Sequence, residues 1–177
     1  MSNSAVPDIT PAPQTGGALS STKASKGKVL SWAFWDWGTQ PFATVITTFV
    51  FSVYLTSSAF GPKDEVTMKL AWATGLAGLF IALLAPVLGQ GSDRSGKRMF
   101  HLRWQTWLLA AICMAMYFVA PAPEYFLLGA LLLGAGNVVS EIANVNYYAA
   151  IDQVSTPANV GRVSGFGWGM GYLGGIS

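Results

Sequence analysis

Residues 70–88 read LAWATGLAGLFIALLAPVL, an apolar run without one ionisable side chain, and the connector at residues 89–98 reads GQGSDRSGKR. That contrast decides the fold. A hydrocarbon core about 30 Å thick takes roughly 18 or more apolar residues as one helix, and only helices or closed barrels satisfy every backbone group in lipid. The run is continuous, whereas a barrel strand alternates over about ten residues. A membrane helix ending in a basic connector is therefore predicted, and the rest of the chain is read outward from it.

The pattern repeats in both directions. Toward the N-terminus a first span is expected over residues 30–60, interrupted by Asp36 and Pro41. Toward the C-terminus a third covers residues 104–120, a fourth covers residues 125–148 and carries Glu141, and a fifth opens at Gly165. From Gly165 to Ser177 the helix would reach only about 20 Å at ~1.5 Å per residue, so the sequence is expected to stop inside a helix and to be a partial product. Residues 1–28 are rich in Ser, Pro, Ala, Gly and Thr and poor in large apolar residues. They are expected to form a disordered cytoplasmic tail, with residues 29–177 as the helical bundle. The expected fold class is an all-α membrane protein: four transmembrane helices plus the start of a fifth.

Composition agrees and excludes other classes. Hydrophobic residues make up 52% of the chain and charged residues 10%, against about 25% charged in soluble domains. The net charge is +2, with no basic stripe interleaved with aromatics, so nucleic acid is not an expected partner. The single cysteine, Cys113, lies within an apolar run and supports neither a disulfide framework nor a metal cluster. His101 sits beside basic residues and reads as interfacial rather than as a ligand. No nucleophile, base and orienting residue group together, so neither an enzyme, a catalytic residue, a metal nor a cofactor is expected.

Orientation follows from the basic residues flanking the spans. Lys23, Lys26, Lys28, Arg94, Lys97, Arg98, Arg103 and Arg162 fall on one side, and only Lys63 and Lys69 on the other. The rule places the N-terminus in the cytoplasm. Trp32, Trp35, Trp104, Trp107 and Trp168 lie near the same ends, where amphipathic rings settle in the headgroup layer.

Within the connector, Gly89, Asp93, Arg94, Gly96, Lys97 and Arg98 stand in an order that resembles the signature of the major facilitator superfamily; Gly91 departs from it, since the family more often has a larger apolar residue there. Gly96 permits a tight turn, and Asp93 is an acceptor suited to a helix N-terminus or a basic partner. The resemblance implies that these six residues form a conformational latch holding one half of a transporter against the other. A narrower resemblance, to the vacuole-effluxer-like branch, is carried by Trp32-Ala33-Phe34-Trp35-Asp36-Trp37 with Pro41-Phe42-Ala43-Thr44-Val45, and by Gly161-Arg162-Val163-Ser164-Gly165-Phe166-Gly167-Trp168-Gly169. Eukaryotic members of that branch are implicated in exporting amino acids from the vacuole, so amino acids are the substrates it implies.

Two polar stripes carry the candidate chemistry. Asp36 and Glu141 each lie about seven residues from a cytoplasmic end, roughly 10 Å deep at ~1.5 Å per residue. Helical spacing groups Asp36, Gln40, Thr47 and Tyr54 on one face if the Pro41 kink is mild, and Asn137, Glu141, Asn144 and Tyr148 on another. A charged residue in a span costs about 2.5 kcal/mol or more against lipid, so it should face a cavity or a partner. Asp36, Gln40, Asn137, Glu141 and Asn144 are therefore candidates for a substrate or proton path; the competing reading is hydrogen bonding that fixes helix packing. Gly169, Gly171 and Gly174 fit a dinucleotide fingerprint, but no strand precedes them. Gly167, Gly171 and Gly175 instead recur every fourth residue, the small-residue face along which membrane helices approach closely.

The expected function is secondary active transport of a small solute by alternating access, with the lipid bilayer, the substrate and a missing C-terminal half as partners. The other reading is a small membrane scaffold or accessory subunit. The expected location is the cell membrane, or a vacuolar membrane in a eukaryote.

Overall fold

A computed structural model of the chain describes residues 25–95 and 98–176; of residues 85, 88–95 and 98 it describes the backbone alone. Of the tail expected over residues 1–28, residues 1–24 lie outside the described residues, while residues 26–28 belong to the first helix, which begins at Lys26. Regular structure among the described residues is helical, with no strand.

The first rod has three parts: α1 (Lys26–Pro41), a π-helix (Phe42–Val50) and α2 (Phe51–Leu55). Pro41 has no N–H to return to the Trp37 carbonyl, and the helix widens to i→i+5 bonding immediately after it. Hydroxyls fill the widened turns. Thr48 Oγ1 donates to the Ala43 carbonyl at 3.2 Å, and the Ser52 hydroxyl donates to the Thr47 carbonyl, each reaching back five residues. π-turns are rare and concentrate at functional sites. The chain then reverses at Gly61, whose φ of 138° lies where glycine is favoured.

α3 (Lys63–Ser95) opens with Asp64 and Glu65 in its first turn, where negative charge suits the helix dipole. α4 (Arg98–Met116) follows, then a 3-10 turn (Pro123–Tyr125), α5 (Phe126–Ala149), α6 (Ile151–Val154) and α7 (Val160–Ile176). α5 is the central rod, packed on α3, α4 and the first rod. Its glycines admit the first rod: a Cβ at Gly129 would lie 2.5 Å from Leu55 Cδ2, and one at Gly136 2.5 Å from Phe42 Cζ. Two apolar cores result. One gathers Phe42, Leu55, Phe60, Leu109, Ile112 and Leu133; the other, toward the end where α1 and α4 begin, gathers Trp32, Ala33, Leu102, Ala143, Tyr147 and Val163.

α7 packs along α1 through glycine. Gly167 meets the Trp32 ring, Gly171 the Asp36 carboxyl, Gly174 the backbone of Trp37, and Gly175 the side chain of Thr44. Gly174 was not among the residues expected on this face, yet it makes the closest approach, backing onto the carbonyl at the proline break.

The span count needs correcting. Four spans and a begun fifth are expected from sequence, but among the described residues two helical stretches are long and apolar enough to cross a membrane: Lys63–Leu84 and Pro123–Ala149. The physical reasons are local. The first rod is broken at Pro41 and carries Asp36, α4 is 19 residues long and includes Arg98, His101 and Arg103, and α7 is 17 residues long.

Gly174→Ala drives a Cβ into the Trp37 backbone, which cannot move aside as a flexible side chain could, and overpacking of this kind costs about 1–3 kcal/mol. Gly169 has open space around it. Gly174→Ala is expected to lower the thermal midpoint of the purified protein, and Gly169→Ala to leave it within error; equal midpoints would remove the seam from the account of stability.

Candidate functional site

Asp36 lies midway along the α1–α7 seam and is 5% exposed. Its carboxyl accepts a hydrogen bond from Gln40 Nε2 at 3.3 Å, one turn along the same helix. Gly171 packs so closely that a side chain there would strike the carboxylate. Among the described residues the ion pair is Lys69–Glu65, at 2.6 Å near the start of α3 and half exposed, and none is made by Asp36. A buried carboxyl with an amide neighbour and no cationic partner is costly to hold.

The carboxyl opens onto a cavity of about 320 Å³ between α1, the end of α5 and α7. Gln40 and Thr44 supply polar atoms, and Tyr148, Trp168 and Tyr172 supply aromatic faces. Trp168 and Tyr172 lean together one turn apart, with ring centroids 5.9 Å from each other. Both tyrosines of α5 at this end, Tyr147 and Tyr148, lie within electrostatic reach of Asp36. A carboxylate framed by an amide, a hydroxyl and ring faces can take up a proton or a cationic group.

An aromatic stack adjoins the site. Tyr147 lies against Trp32 with centroids 4.4 Å apart and planes 7° from parallel, and against Trp35 at 4.9 Å. Indole N–H groups pin the stack. Trp32 Nε1 donates to the Tyr147 carbonyl at 3.1 Å, and Trp35 Nε1 to Thr106 Oγ1 at 2.8 Å. The Tyr147 hydroxyl is buried without a hydrogen-bond partner among the described residues.

The expected polar stripes are divided. Asp36 and Gln40 face the cavity with Thr44, whereas Thr47 turns to α5 and donates to Asn137 Oδ1 at 3.2 Å, and Tyr54 donates to the Val119 carbonyl at 2.8 Å. The π-helix accounts for the split, because its wider turn rotates every later residue away from the α-helical register. On α5, Tyr148 lines the cavity, while Glu141 and Asn144 do not; Glu141 is exposed and within electrostatic reach of Tyr148. Of the expected latch, Gly96 and Lys97 lie outside the described residues, as do the side chains of Asp93, Arg94 and Arg98; Gly89 is described by its helical backbone alone.

Sequence reasoning missed three features. Asn146 is buried and donates to Gln105 Oε1 at 3.0 Å, joining α5 to α4. Thr106 receives Trp35, and Tyr147 forms the stack. Asn146 and Gln105 carried a usable signal, as amides within apolar runs; Tyr147 carried none, being one of two adjacent tyrosines. No group of three or more metal-binding side chains comes together among the described residues.

Compared with known proteins, the chain is 28% identical over 148 residues to an uncharacterized MFS-type transporter, YxiO, of Bacillus subtilis (strain 168). The match covers 81% of this chain and 34% of the relative, so the chain spans about a third of the length of the curated relative it matches. This similarity supports membership of the major facilitator superfamily. No family model matches the chain, and no solved structure does.

A buried hydroxyl without a partner costs about 1–3 kcal/mol. Tyr147→Phe keeps the stack and removes only the hydroxyl, so the thermal midpoint is expected to hold or rise; a clear fall would mean that the hydroxyl is bonded in the native protein.

Proposed function

We propose that the chain is part of a secondary active transporter that moves a small solute through alternating access, with α3 and α5 crossing the bilayer. The observation that carries this is the exposure of α3. Its most apolar window is only 17% buried within the bundle, whereas the core helix of a soluble protein hides such a stretch. Trp72, Leu79, Leu83 and Val87 are each more than half exposed, a greasy outer surface that water does not favour and lipid does. The similarity to an MFS-type transporter supports the same reading.

The cavity at Asp36 is the proposed substrate or proton path. Secondary transporters hold their sites at interrupted helices near the midplane, and the break at Pro41 with its π-helix follows Gln40 directly. Glu141, Asn137 and Asn144 line no part of this cavity and are assigned to the path as a further polar stretch on α5, with Glu141 within electrostatic reach of the cavity residue Tyr148. The connector residues Gly89, Asp93, Arg94, Gly96, Lys97 and Arg98 are assigned as the latch. The branch resemblance makes amino acids the first substrates to try.

Asp36→Asn preserves shape and removes the ionisable group. In the complete transporter reconstituted in vesicles, it is expected to reduce pH-driven amino-acid uptake by about tenfold or more, the effect of losing about 1.4 kcal/mol. Uptake equal to the parent's at every pH would exclude Asp36 from proton handling. Orientation has its own test. In a Cys113→Ala background, single cysteines placed between Arg94 and Arg103 should resist a membrane-impermeant maleimide on intact cells and react after permeabilisation; labelling from outside overturns the cytoplasmic placement.

A further inference from the structure

A second recess, of about 900 Å³, lies at the end of the bundle where α1 and α4 begin. We propose that it holds the phosphate headgroup of an anionic lipid; this rests on the membrane placement proposed above and is independent of what is transported. Two cations line it, one from each helix: Lys28 in the first turns of α1 and Arg103 in α4, both exposed. Among the described residues no carboxylate lines it; Asp152, which precedes the wall residue Gln153 on α6, is itself exposed. Gly27 and Met99, which also line it, belong to the opening turns of α1 and α4. The positive ends of two helix dipoles therefore add to two side-chain charges.

The remaining walls suit a lipid rather than a free anion. Trp32, Trp35, Phe100, Leu102, Trp107 and Val154 make most of the surface apolar or aromatic. Trp32 and Trp35 are fixed by their bonds to the Tyr147 carbonyl and Thr106, so this wall is already formed. Trp107 stands 68% exposed at the margin, as an amphipathic ring at the headgroup level does. The volume is far larger than a phosphate ion needs and admits a headgroup, its glycerol and the first part of an acyl chain. Arginine's planar fork and the lysine ammonium both form charge-assisted hydrogen bonds to phosphate oxygens. Basic recesses between membrane helices are a general means of holding anionic headgroups.

The test uses the full chain, purified in detergent and offered phosphatidylglycerol or phosphatidylcholine with identical acyl chains, with bound lipid counted by native mass spectrometry. Phosphatidylglycerol is expected to be retained about tenfold over phosphatidylcholine, a preference lost in Lys28→Gln/Arg103→Gln and kept in Lys63→Gln/Lys69→Gln at the other end. Arg103→Lys, which keeps the charge, should retain part of the preference. Equal retention of the two lipids, or a preference that survives Lys28→Gln/Arg103→Gln, overturns the proposal. So does release of phosphatidylglycerol by millimolar inorganic phosphate, which would assign the site to a free anion. Whether the chain leaves cell membranes only with detergent is read separately and bears on the placement alone.

Discussion

Everything at the candidate site depends on how closely α7 approaches α1, and that distance is set by missing side chains. Gly167, Gly171 and Gly174 let α7 lie against Trp32, Asp36 and the Trp37 backbone. Small residues let the two backbones come close enough for van der Waals contact to hold them together. The same approach buries the Asp36 carboxyl while leaving a cavity on one side of it. A bulkier α7 would stand off and uncover Asp36.

The break at Pro41 works with that seam. Proline removes one rung of the ladder, the π-helix widens the next turns, and hydroxyls of Thr44, Thr48 and Ser52 bond back to carbonyls along the segment. The widening also redirects the rod. Before it, Asp36 and Gln40 look toward α7; after it, Thr47 bonds Asn137, and Phe42 and Leu55 enter the hollows that Gly136 and Gly129 leave on α5. One helix thus serves two neighbours, with the change of partner falling at the proline.

Much of this was legible in the sequence, for identifiable reasons. The all-helical architecture follows from apolar runs too continuous for strands, and the glycine repeat pointed to the helix face that now lies on α1. Gly174 stands outside that face in the sequence because it falls one residue off the four-residue repeat, and a repeat cannot show which glycine will meet backbone rather than side chain. The stripe of Asp36, Gln40, Thr47 and Tyr54 was drawn with α-helical spacing throughout, and a π-helix is a departure that composition does not announce. Span counting failed for a related reason. Counting apolar runs leaves unweighed what interrupts them: Pro41 and Asp36 break the first rod, and α4 shares its length with Arg98, His101 and Arg103.

The polar side chains of the bundle divide by what they join. Trp32, Trp35, Thr47, Tyr54 and Asn146 each bond a different helix or its flanking loop, so their polarity is repaid in cross-links. Asp36 bonds Gln40 on its own helix. A residue retained for packing should tie two elements together, since a hydrogen bond within one helix adds nothing to their association, and an apolar residue of the same size would be easier to bury. Asp36 sits at the glycine-packed α1–α7 seam and, among the described residues, contributes no polar link across it. Its carboxyl opens instead onto the cavity between α1, α5 and α7, and that opening is what the proposed path rests on.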